Sequence, residues 1–149
     1  MGLIRKFKLS LSLLALAGCE VPLMIAADAN DAEVSGAFDI TFPAAMLIRA
    51  GEEEEFLTGN MIGYLNGNAD IDVTGPTYGN CLGSFKKSNE TMQMSCENGF
   101  SFTKLIGNST MKMSGVYAES GVLNGVAYSS AYGWGKKANK AALRAALGG

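Results

Sequence analysis

Positions 91–96 read Thr-Met-Gln-Met-Ser-Cys. Met92, Met94 and Cys96 fall on one face and Thr91, Gln93 and Ser95 on the other, the period-two alternation of a half-buried strand. Upstream, Cys81-Leu82-Gly83-Ser84-Phe85 puts Cys81, Gly83 and Phe85 on one face. A hairpin turning at Ser88-Asn89 sets Lys87 against Glu90, Phe85 against Met92, Gly83 against Met94 and Cys81 against Cys96. That register places both sulfurs on the apolar side of an antiparallel pair, where Cα separations of ~4.5–5.5 Å lie within disulfide range. A Cys81–Cys96 bond is therefore expected, closing a loop of about 15 residues at a gain of ~3 kcal/mol in the chain-entropy account. Two unrelated reduced core cysteines are the alternative. No CxxC spacing points to redox chemistry.

The same grammar runs through the rest of the chain. Phe38, Ile40 and Phe42 alternate with Asp39 and Thr41 over Ala37–Phe42. Further strands are expected at Phe56–Leu65, Ala69–Thr74, Tyr78–Phe85, Thr91–Cys96, Phe100–Ile106, Met111–Tyr117 and Leu123–Tyr132. Asn66-Gly67-Asn68, Gly75-Pro76, Ser88-Asn89, Asn98-Gly99, Gly107-Asn108 and Ser120-Gly121 separate them as turns. Pro43–Ala50 reads as a short helical turn, and Glu52–Glu55 as a solvated acidic loop. About eight short strands at such spacing predict an all-β domain, a small antiparallel barrel or sandwich. After Gly135 the composition changes: Lys136–Leu147 is rich in helix formers, with Lys136, Lys140 and Arg144 on one face. This tail is expected to form a short basic helix, packed on the barrel or offering charge to anionic head groups or a partner.

The amino-terminal stretch speaks to destination. Met1–Lys8 carries Arg5, Lys6 and Lys8 with no acidic residue, and the leucine-rich run Leu9–Leu16 follows. A charged segment before a short apolar one is an export signal, too short to span a bilayer. It closes on Leu16-Ala17-Gly18-Cys19, which resembles the lipobox of bacterial lipoproteins. The resemblance implies cleavage before Cys19 and attachment of diacylglycerol to its thiol, two acyl chains being enough for stable anchoring. It also implies a cell-envelope location, and Glu20 at the next position slightly favours the outer over the inner membrane. A second cut is open: Ala27-Asp28-Ala29 has the A-x-A form, and cleavage there would release a soluble periplasmic protein starting at Asn30. The divisions are then a signal peptide at 1–18, a lipidated tether at 19–33, a β domain at 34–135 and the basic tail at 136–149. Either use of Cys19 explains the odd number of cysteines and leaves Cys81 and Cys96 to pair in an oxidising compartment. The segment Cys81-x-Gly83-x-Phe85 … Cys96-x-x-Gly99 is also similar to a loose arrangement in small uncharacterised β-rich exported bacterial proteins, which implies no activity.

Composition narrows the function classes. The 149 residues contain no histidine, which removes the usual general base and the commonest metal ligand. Lysine plus arginine is 12 against 14 acidic residues; loss of residues 1–18 leaves nine basic residues, so the processed chain is acidic and unsuited to nucleic acid. No nucleophile elbow or phosphate loop appears. Asn66, Asn68, Asp70 and Asp72 have the alternate spacing of a calcium loop, but Ile71 and Thr77 stand where that loop needs Gly and Glu, so a turn and the solvent face of a strand are expected. Met92, Met94, Met111 and Met113 form two M-x-M pairs; core filling is the expected role, ahead of Cu(I). Tyr128, Tyr132 and Trp134 either close one end of the core or offer an aromatic contact surface. No cofactor, metal or catalytic residue is expected. The expected role is structural or binding, with the bilayer and an envelope protein as partners. The alternatives are an inhibitor or ligand-binding barrel, of the kind seen in small lipoproteins that block lysozymes, and a hydrolase with a cryptic carboxylate pair.

Overall fold

A computed structural model of the full chain describes residues 31–34, 39–106 and 112–148. Its strands are β1 (Glu33–Val34), β2 (Asp39–Ala50), β3 (Glu53–Tyr64), β4 (Ala69–Gly75), β5 (Gly79–Lys86), β6 (Thr91–Cys96), β7 (Ser101–Leu105), β8 (Gly115–Leu123) and β9 (Val126–Trp134). A 3₁₀ turn, Gly135–Lys137, leads to one short helix, α1 (Lys140–Ala146). All pairings are antiparallel, in the order β7-β6-β5-β4-β3-β2-β9-β8. The two-residue β1 pairs with β2 beyond the end of β9. The sheet curls into a half-barrel, the all-β architecture of about eight strands and a terminal helix that the alternations predict.

Period-two patterning sorts the side chains. The concave face gathers Phe42, Met46 and Ile48 from β2, Leu57 and Met61 from β3, Ile71 and Val73 from β4, Cys81 and Phe85 from β5, and Met92, Met94 and Cys96 from β6. Cys81 and Cys96 stand opposite each other and are disulfide-bonded. Gly83 faces Met94 and Phe85 faces Met92, as the hairpin register requires, and Glu90 N–H donates to Lys87 O across the turn. At this end Phe100 meets Tyr78, Phe102 and Tyr128 edge-on, with ring centroids 5.4, 6.0 and 5.0 Å apart. Staple and aromatic cluster together plug one end of the half-barrel.

Three local expectations are corrected. Pro43–Ala50 is no helical turn; it continues β2. Its run Ala44–Ile48 is buried throughout because the core covers one face and α1 the other, so the alternation that marks a strand is lost there. Phe42 and Pro43 fall in the gap between the partners β1 and β9, where a proline is tolerated. Secondly, Glu52–Glu55 is not a loop: Glu53 already opens β3. Thirdly, Ser120-Gly121 is not a turn. The hairpin turns at Asn124-Gly125, whose φ values of 50° and 79° are those of a two-residue primed turn. Gly121 serves packing instead, since a Cβ there would lie 2.9 Å from the Tyr128 hydroxyl.

The terminal helix is shorter than the Lys136–Leu147 run. Asn139 Oδ1 accepts from Ala142 N–H at 2.9 Å and starts it, leaving Lys136 in the preceding 3₁₀ turn. Fully buried Leu143 packs on Ala45, Leu47 and Ala131 on the convex face of β2 and β9.

Candidate functional site

β7 and β8 are the free edges of the path, and among the described residues no ladder joins them. One side-chain seam spans the gap. Lys104 Nζ lies 3.9 Å from Glu119 Oε2 and donates to Ser120 O at 3.5 Å. The Glu119 side chain is 4% exposed; its Oε1 accepts from Ser130 Oγ at 3.1 Å, while among the described residues Oε2 accepts no hydrogen bond. Burial and then the Glu119 charge raise the Tyr117 hydroxyl above its ordinary range and push that of Tyr128 up to about 12.

At the end away from the disulfide the half-barrel is hollow. A cavity of about 490 Å³ opens among Met61, Ile71, Phe85 and Met92 on one side and Tyr117, Tyr132 and Trp134 on the other. Its volume suits a small ligand. Tyr132 and Trp134 stack at 5.9 Å, and Trp134 Nε1 donates to Lys112 O at 2.7 Å, fixing the indole at the mouth. The exposed Lys112 and Lys137 border the same opening. Tyr132 is 3% exposed, and among the described residues its hydroxyl has no hydrogen-bond partner. Burial raises its pKa, so the phenol keeps its proton and remains a donor. An unpaired buried hydroxyl is costly, and the residue that carries it lines the cavity.

The other candidates resolve into structural parts. Asn66 Oδ1 accepts from Asn68 N–H, Asn68 Oδ1 from Lys87 N–H, and Asp70 Oδ2 from the Tyr64 hydroxyl at 2.7 Å. These residues shape a turn and a strand face, with Ile71 and Val73 inward. Met92 and Met94 are buried and Met113 packs against the same core; Met111 lies outside the described residues. Among the described residues no three Cys, Asp or Glu side chains are gathered as a metal ion needs. Tyr128, Tyr132 and Trp134 all pack against the concave core.

The acidic run is a fastener. Glu54 accepts from Arg144 Nη2 at 2.6 Å and from Arg49 Nε at 2.9 Å, with Lys140 Nζ at 3.6 Å. The Arg144 and Arg49 hydrogen bonds hold its carboxyl down at about 2. Burial works to raise the Glu55 pKa, but hydrogen bonds from Thr77 and Tyr78 keep it below the usual carboxylate value. Lys140 and Arg144, two of the charges that would have made a basic docking face, are thus engaged by Glu54.

The sequence offers Tyr128, Tyr132 and Trp134 as either the close of the core or a contact surface, but gives no sign of the cavity between Tyr132, Trp134 and β3–β6. Their shared parity was the available signal; the curl that hollows that end was not in it. Cys19 and the proposed signal lie outside the described residues. No protein-family model, curated protein or solved structure matches this chain.

Proposed function

We propose that this protein is a non-catalytic binding module of the bacterial cell envelope, anchored through acylated Cys19, whose half-barrel takes an apolar ligand in its open end. The observation that carries the binding part is the apolar cavity among Met61, Ile71, Phe85, Met92 and Trp134. The opposite end is plugged by the Phe100 cluster and stapled by Cys81–Cys96. The anchoring part rests on Arg5, Lys6, Lys8, the Leu9–Leu16 run and the Leu16–Cys19 motif. Among the described residues no helix is long and apolar enough to cross a membrane, so the anchor in this reading is the lipid.

Trp134 is the only tryptophan in the chain and stands in the cavity wall, which makes it a built-in reporter. Protein purified from the envelope is titrated with a polarity-sensitive apolar fluorophore. Saturable binding of one equivalent, with energy transfer from Trp134, supports the reading; a linear, non-saturating signal overturns it. Mass spectrometry of the mature amino terminus tests the anchor: diacylated Cys19 supports it, and an unmodified chain starting at Asn30 removes it.

A further inference from the structure

The cavity carries more information than its apolarity. Resting on the binding reading above, we infer that its ligand is a single-chain acyl amphiphile with an anionic head, of the fatty-acid or lysophospholipid class.

Two features converge on that chemistry. The inner walls, Met61, Ile71, Phe85 and Met92, offer only carbon and thioether sulfur, the surroundings a hydrocarbon chain prefers. The mouth carries Lys112 and Lys137, and among the described residues neither ammonium is in an ion pair. Two unengaged cations at the opening of an acidic protein select an anion. The site therefore sets cations at its opening beside hydrocarbon walls, which matches an anionic head and its chain.

The position of the entering chain fits the same ligand. β1 lies along Ile40 and Thr41, on the hollow side of the half-barrel. The residues between Cys19 and Asp31 span at most about 40 Å when extended, so an anchored Cys19 keeps the mouth close to a bilayer surface, where such amphiphiles reside.

The test uses envelope-purified protein exchanged into detergent-free buffer, with palmitate, lysophosphatidylglycerol, hexadecanol and hexadecylamine as ligands displacing the fluorophore. Both anions are expected to bind with one-to-one stoichiometry, about tenfold more tightly than hexadecanol, and hexadecylamine is expected to be the weakest. The double variant Lys112→Gln/Lys137→Gln removes the preference for anions and leaves hexadecanol unchanged. If palmitate binds and lysophosphatidylglycerol does not, the ligand is the free acid; the reverse result assigns the lysophospholipid. Equal affinities for the acid, the alcohol and the amine overturn the inference while the binding reading survives. Binding of none of the four, with no saturation by the fluorophore, overturns both.

Discussion

Arg144 donates to Glu54 at 2.6 Å and ties the last helix to the third strand across 90 residues of sequence. The pairing has a pH signature. Glu54 titrates near 4.5 when free and at about 2 here, so its contribution to docking α1 is complete above about 4.5, shrinks as the pH falls from there, and is gone below about 2. Protection of the α1 amides against hydrogen exchange should therefore persist at pH 4.5 and decline toward pH 2. In Glu54→Gln the same amides should exchange faster at neutral pH and lose most of that acid dependence. Identical profiles for the two proteins would contradict the fastening role.

Leu143 is the apolar half of the same attachment. It is fully buried against Ala45, Leu47 and Ala131. Leu143→Ala should cost about 2–5 kcal/mol by lost transfer energy and the cavity left behind. Denaturant titration followed by circular dichroism measures it, and a loss under 1 kcal/mol (about the cost of a surface change) would mean the helix packs elsewhere.

The Cys81–Cys96 bond closes a separation of 15 residues within one hairpin. Replacing both by serine should lower stability by about 3 kcal/mol, read as a reduced denaturation midpoint. Reduction of the native protein should move the midpoint in the same direction.

Glu119 joins the two free edges through Lys104. Glu119→Gln keeps an oxygen for Ser130 and removes the charge. The β8 amides should exchange several-fold faster as the seam loosens. Unchanged exchange over Gly115–Leu123 would show that the seam does not hold the edges.

The sequence was most legible where one face meets the core and the other meets water. The alternation marks β4, β5 and β6 nearly to the residue, and the Cys81–Cys96 register follows from parity together with the turn at Ser88-Asn89. It was least legible at Ala44–Ile48, where burial on both faces erased the alternation. At β8 a glycine placed to admit the Tyr128 ring was read as a turn, while the Asn124-Gly125 turn passed unnoticed. The site divides the same way. Parity put Tyr132 on the core face with Tyr128, but the hollow beside Tyr132 depends on how far an eight-strand sheet curls before its edges meet, a property of no single segment.

The position of β2 also orders the assembly of the molecule. Its pairing with β3 forms between neighbours in sequence, whereas Ala44 must wait for Trp134 and Leu47 for Ala131. A chain made from its amino end zips β2 through β7 one hairpin at a time, and only the last hairpin and helix cover the remaining side of β2. Until Leu143 arrives, Ala45 and Leu47 face outward beside an unpaired edge, a template for sticking to other chains. Products halted before the closing helix should accumulate as aggregates, which makes the final few residues guardians of solubility for everything that precedes them.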